Sequence, residues 1–137
     1  MIVVAIIGIL ASIALPRFAD LIRKGHEGAT KGNLGTLRSA LSIYYADMQG
    51  TFPSDDLTSL TVNAKYVAAI PNSYAANYHG KASTVENNDD WGMGAILLMD
   101  NGRWMYWNWD AVGGKSKGDL WVACTHTDSK GKVWTTY

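Results

Sequence analysis

The stretch MIVVAIIGILASIALPRF, residues 1–18, decides how the rest of this chain is read. Residues 1–15 carry no charged side chain and include Ile2, Val3, Val4, Ile6, Ile7, Ile9, Leu10, Ile13 and Leu15. Pro16, Arg17 and Phe18 then open a long polar helical pattern. A chain so apolar at one end and soluble at the other must hide its first segment outside its own fold: in a bilayer, a partner, or many copies of itself. Fifteen helical residues reach only about 22 Å, short of the roughly 30 Å hydrocarbon core of a membrane. A secretory signal has an apolar core of this length, but it begins with positive charge, and only Met1 precedes Ile2 here. Gly8 and Pro16 are the weak points. Glycine costs about 1 kcal/mol relative to alanine inside a helix, and proline removes a donor and clashes with the carbonyl four residues back. The helix is expected to break or melt between them when it leaves the membrane.

From Arg17 to about Gln49 the pattern is one amphipathic helix. At 100° per residue, Leu34, Leu37, Leu41, Tyr44, Tyr45 and Met48 share one side, the stripe expected to pack on a globular head. Gly25, Gly28, Gly32 and Gly35 fall on the opposite side, in line with Leu21, Ser39 and Ala46. Four glycines weaken a helix by roughly 3–4 kcal/mol against alanine. Such a row lets another backbone come close, so it is expected to be a small-residue seam between subunits, and it also makes the helix soft. Asp20–Lys24 and Glu27–Lys31 are placed to form i, i+4 ion pairs.

Gly50 and Pro53 stop the helix, and Ser54 is the expected cap of a short helix through Leu57 and Leu60. Residues 72–90 lack periodicity and read as exposed loop. Strands follow at Ala95–Asp100 and Arg103–Trp109, with Asn101-Gly102 as a two-residue turn that sets Asp100 opposite Arg103, Met99 opposite Trp104 and Leu97 opposite Tyr106. A third strand is expected over Leu120–Thr125 and a short fourth over Val133–Tyr137. The expected fold is α+β: a long N-terminal helix packed on a small antiparallel sheet of three to four strands. It divides into a helix over 1–50, with a membrane or filament-core part (1–16) and an amphipathic part (17–50), and a head over 51–137. The head is a connecting region (51–94) followed by the sheet and C-terminal segment (95–137).

Residues 1–18 resemble the N-terminal signature of type IV pilins and type II secretion pseudopilins, and the likeness is long and nearly literal. In that family the signature follows a short basic leader cut by a prepilin peptidase, then about six mature residues that begin with a methylated Phe and include a Glu. Those residues are missing from this text; six more apolar residues would bring the helix to about 31 Å, enough to cross. A looser resemblance runs through Tyr44-Tyr45-Ala46-Asp47, Gly50-Thr51-Phe52-Pro53, Lys65-Tyr66-Val67 and Ile70-Pro71, and a weak one through Thr127-Asp128-Ser129-Lys130-Gly131. The resemblance implies the pilin fold, anchoring in the inner membrane before assembly, and ATP-driven assembly machinery as partners. It also implies polymerisation with copies of itself into an extracellular filament, or a periplasmic one for a pseudopilin.

Twelve basic side chains balance twelve acidic ones, and no basic stripe points to nucleic acid. Catalysis finds no constellation, so the chain is read as a structural protein and not an enzyme. His26, His79 and His126 stand far apart in sequence with no metal-ligand spacing, and no cofactor is expected. Calcium is the one ion weighed, through Asp89-Asp90, Asp110, Asp119 and Asp128, although turn-forming Asp is the commoner use. Cys124 has no second cysteine to pair with, whereas many pilins staple their C-terminal loop, and it reads as a small buried hydrophobe. Six tryptophans, four of them between Trp91 and Trp109, exceed what one face can bury, so Trp104, Trp107 and Trp109 are candidates for lateral subunit contact. The reading of another class is a membrane-tethered monomeric module that binds ligands through this Trp-rich hairpin.

Overall fold

The computed structural model describes residues 1–75, 77–87, 99–109 and 114–137. Its main element is α1, Ile2–Asp47, 46 residues long. This corresponds to about 69 Å at helical rise. The helix changes character near residue 26. Below it every side chain is exposed except the half-buried Ala14 and Arg23; above it Glu27, Thr30, Leu34, Leu37, Ala40 and Leu41 are buried. That spacing of three and four is the stripe that meets the head. Tyr44 extends it, half buried, but Tyr45 and Met48 do not: both are exposed, and Tyr45 packs on Phe52 with ring centroids 4.4 Å apart. The stripe expected over Leu34 to Met48 begins about two turns earlier instead, at Glu27.

No break occurs at Gly8 or Pro16 in the isolated chain; α1 runs through both. Proline strips the Ser12 carbonyl of its helical donor, and the Ser12 hydroxyl donates to the Ile9 carbonyl at 2.7 Å. At the other end Gln49 is already left-handed (φ 53°), as is Gly50 after it (φ 86°), and the Gly50 N–H donates to the Tyr45 carbonyl at 2.9 Å. This six-to-one bond closes a Schellman cap one residue earlier than expected. The chain then makes two 3-10 turns, Thr58–Leu60 and Val62–Ala64. Asp55, rather than Ser54, anchors the first: its carboxylate accepts from the Ser59 N–H at 2.9 Å and the Thr58 hydroxyl at 3.0 Å.

Among the described residues three short strands form the sheet: β1 (Val85–Asn87), β2 (Trp104–Tyr106) and β3 (Leu120–Val122), in spatial order β1-β2-β3. β2 pairs with β3 antiparallel, Trp104 opposite Val122, as a hairpin-rich head leads one to expect. On its other edge β2 pairs with β1 in parallel, Val85 opposite Trp104, so the sheet is mixed and not antiparallel. This overturns three expectations. The region 72–90 is not all exposed loop, because it supplies β1 and the buried Ser73 and Ala75. Both edges of β2 being taken by β1 and β3, Trp104 does not pair with Met99; Leu97, expected opposite Tyr106, lies outside the described residues, as do all of residues 95–98 of that expected strand. Nor is Arg103 opposite Asp100: its N–H donates to the Asn101 side chain at 3.0 Å and its guanidinium meets Glu86 at 2.5 Å. The expected fourth strand is a single bridge, Thr127 to Val133, followed by a 3-10 turn at Trp134–Thr136.

The core lies between α1 and the sheet, where Leu34, Leu37 and Leu41 pack with Leu57, Leu60, Trp104, Tyr106, Val122 and Trp134. A second cluster (Met105, Trp107, Trp121 and Ala123) covers the other face of the sheet. Alternation along β2 therefore holds, with 104 and 106 toward the helix and 105 and 107 away, but both faces are buried. Leu37 is fully buried at the centre of the first cluster. Leu37→Ala is expected to destabilise the head by about 3 kcal/mol, read as a lower denaturant midpoint in detergent-solubilised protein.

Candidate functional site

Two surfaces of α1 are left without a partner. The first is the whole lower helix. Ile2, Val3, Val4, Ile6, Ile7, Ile9, Leu10, Ile13 and Leu15 are all more than half exposed, and Phe18, Leu21 and Ile22 continue the apolar surface. The stretch is apolar and long enough for a membrane crossing by length and composition, and none of it is buried inside the chain. Exposure on this scale exceeds the patches that soluble monomers leave open.

The second is the glycine row. Gly25, Gly28, Gly32 and Gly35 are exposed on the side of α1 turned away from the head. A Cβ placed on any of them would meet nothing within 4 Å. Nothing within the chain requires glycine at these positions, and all four are helical. Four residues that each cost about 1 kcal/mol of helix stability are thus unused by the folded monomer.

On the opposite side the head is fastened to α1 by charge. Lys31 does not pair with Glu27, the i, i+4 arrangement expected. Its ammonium instead contacts the Asp128 carboxylate and donates to the Tyr137 hydroxyl at 2.8 Å. Tyr137 donates to Asp128 at 2.5 Å, and the N–H groups of Lys130 and Lys132 donate to it at 2.8 and 2.9 Å. Burial opposes ionisation of Asp128, but these donors outweigh it and hold the carboxyl well below its ordinary range. Burial likewise pulls the Lys31 pKa down, and its bonds to Asp128 and Tyr137 reverse this and raise it. Buried Glu27 accepts from the Ser129 N–H at 3.1 Å and the Ser129 hydroxyl at 2.5 Å. Arg38 completes the set, donating to the carbonyls of Leu120 and Tyr137, each at 2.7 Å. The C-terminal segment is stapled to the helix without a disulfide. The expected Asp20–Lys24 pair does form, at 3.3 Å.

Over 73 residues, 51% of its length, the chain is 41% identical to fimbrial protein EcpC of Eikenella corrodens, covering 47% of that protein. The similarity is to a fimbrial protein. The chain spans about half the length of the curated relative it matches. No protein-family model matches it. No solved structure matches it either.

Among the tryptophans proposed for lateral contact, the structure corrects two. Trp104 and Trp107 are fully buried, the first with its indole N–H on the Pro71 carbonyl at 2.7 Å; only Trp109 is exposed. Of the aspartates weighed for calcium, Asp128 is held by Lys31, and Asp119 accepts from the Ser116 N–H at 2.9 Å. Asp89, Asp90 and Asp110 lie outside the described residues. Sequence reading missed two groupings. Glu27 reaches Ser129 across 102 residues, a pairing for which nothing in the local pattern gives a signal. His79 and His126, far apart in the chain, have ring centroids 5.5 Å apart. The only local hint of that second grouping is the spacing of Cys124 and His126, two residues apart on the end of β3.

Proposed function

We propose that this chain is the structural subunit of a helical extracellular filament of the type IV pilus kind, held in the inner membrane before assembly and polymerising through its apolar helix. One observation carries the reading: residues 2–15 of α1 form a continuous helical stretch with no charged side chain, and none of it is buried inside the chain. The resemblance of residues 1–18 to the pilin signature supports it, as does the fimbrial character of the relative. Burying nine Ile, Leu and Val side chains from water would contribute roughly 15–25 kcal/mol. The bilayer already hides them, so the net gain on transfer to a fibre is far smaller and extraction calls for an ATP-driven machine. The segment between Gly8 and Pro16, helical in the isolated chain, is where the fibre would melt it, because neighbouring subunits can re-satisfy the freed backbone groups.

Burial of Trp104 and Trp107 weighs against the alternative of a monomeric module that reads ligands with a Trp-rich hairpin. A secretion pseudopilus would share this architecture but stay in the envelope. Electron microscopy of the full-length protein made beside a pilus assembly apparatus is expected to show fibres of even width, released into the medium by shearing. Detergent-soluble monomers as the sole product would overturn the proposal; fibres that never leave the envelope would assign the pseudopilus form.

A further inference from the structure

We propose that the head carries a transition-metal site, fitted to zinc, formed by His79, Asp100, Cys124 and His126. The four residues come from three separately held segments: the loop before β1, the residues leading into β2, and the exit of β3. Their donor atoms all lie within 4.8 Å of one another. His79 Nε2 stands 2.9 Å from Asp100 Oδ1, His126 Nδ1 3.4 Å from Asp100 Oδ2, and Cys124 Sγ 3.6 Å from His126 Nδ1. Ligands around a tetrahedral zinc, at about 2.0–2.3 Å from the ion, sit roughly 3.2–3.7 Å from each other. With one Asp100 oxygen as the ligand, two of the contacts match a tetrahedral shell to within about 0.5 Å before any side chain moves, and the widest pair needs a contraction of about 1 Å.

The surroundings hold this geometry. Thr125 fixes the Asp100 carboxylate from both sides, its N–H donating to Oδ1 and its hydroxyl to Oδ2, each at 3.0 Å. The Tyr78 ring stacks on His126 with centroids 3.9 Å apart and planes at 11°. Gly102, at φ 74°, lies so close under His79 that any Cβ there would overlap its side chain. Ordered second partners of this kind orient ligands and set their basicity. Entry is open, since the side chains of His79, Asp100 and His126 are 15%, 31% and 39% exposed while Cys124 is buried beneath them.

The donor set selects the ion. One thiolate and two imidazoles with a single carboxylate suit zinc and its borderline neighbours, and disfavour calcium or magnesium, which require several oxygens. Four protein ligands leave no open position, so the site is a structural clamp. It would join the three segments at the one place where the lone cysteine cannot form a disulfide. The ligands lie within one chain, and the site stands whether or not the filament reading holds.

Cobalt(II), which takes up the same tetrahedral geometry and is coloured, is the direct probe. Titration of the reduced full-length chain in detergent is expected to saturate at one equivalent. It should show a thiolate-to-cobalt charge-transfer band together with the intense visible bands of a tetrahedral ion, and zinc(II) should bleach both. His126→Gln, at a half-exposed position outside the core cluster, is expected to weaken binding at least about tenfold. Cys124→Ser should abolish the charge-transfer band while circular dichroism stays unchanged. At equal concentration zinc should raise the melting temperature of the native chain more than that of either variant. A pale octahedral cobalt spectrum in the native chain, or identical titrations of the native chain and His126→Gln, would overturn the site.

Discussion

Leucine at both Gly28 and Gly32 is expected to abolish filaments while leaving the monomer folded and more stable. In the monomer a Cβ at either position meets nothing within 4 Å, so the backbone there accepts a side chain without clash. Replacing glycine by leucine in a helix interior contributes roughly 0.5–1 kcal/mol per site, and the melting temperature should rise accordingly. In a filament two added isobutyl groups would push a neighbouring helix away from a contact that only small residues permit. Circular dichroism and electron microscopy read the two effects separately. Alanine at the same positions is the graded control: it should stabilise the monomer similarly and thin or shorten the fibres without eliminating them. Fibres of native width and length from the double leucine variant would rule out the glycine seam, while leaving the apolar lower helix as the seat of assembly.

Asp128→Asn is expected to destabilise the head by about 2–3 kcal/mol and to remove much of its acid sensitivity. Truncating one partner of a buried ion pair costs about 3–5 kcal/mol because the other charge stays behind. Lys31 keeps 28% of its side chain exposed and can rehydrate, which places the cost toward the low end. The pH dependence has a definite sign. The Asp128 carboxyl is lowered in the fold from its ordinary 3.8, so the unfolded chain binds more protons in acid. Its contribution is fully present above about pH 4 and fades as pH falls toward the folded value. Lys31 is raised from 10.5, so its share is present below that value and fades as alkali titrates the folded group. As pH falls below about 4, thermal melts of the native chain should fall faster than those of Asp128→Asn. Parallel slopes would show that Asp128 is not the group responsible.

How far residues alone revealed this molecule depends on the range of the interaction. The periodic elements were readable: Leu34, Leu37 and Leu41 repeat within one helix, and their spacing alone assigns the buried face. β3 and the alternation of Trp104, Met105, Tyr106 and Trp107 were readable for the same reason. The parallel partner of β2 was not. Val85-Glu86-Asn87 is three residues long with two polar side chains, too short and too mixed for a strand signal, and pairing with β2 is what makes it a strand. Charges misled where local pairing competes with a distant partner. Glu27 and Lys31 are well spaced for each other on the helix, yet Ser129 and Asp128 offer buried, better-satisfied bonds. The tryptophans misled through a count of faces: one covered face cannot hold them, but the sheet is covered on two. Of the proposed assembly surface, the apolar segment and the glycine row were legible because both are properties of a single helix. The histidine, aspartate and cysteine grouping was not, because it exists only once three connections are folded.

The Glu27, Lys31 and Arg38 attachments lie along the same span of α1 as the four glycines and on the other side of it. A helix thinned by glycine on one flank is a compliant rod, and the C-terminal segment lies along its opposite flank as a splint. Bending resistance in this stretch is then lent by the head, while residues 2–22 have only their own backbone to stiffen them. Loosening the splint, as in Asp128→Asn, should quicken amide exchange over residues 25–35 more than within the sheet, turning the middle of the rod into a hinge.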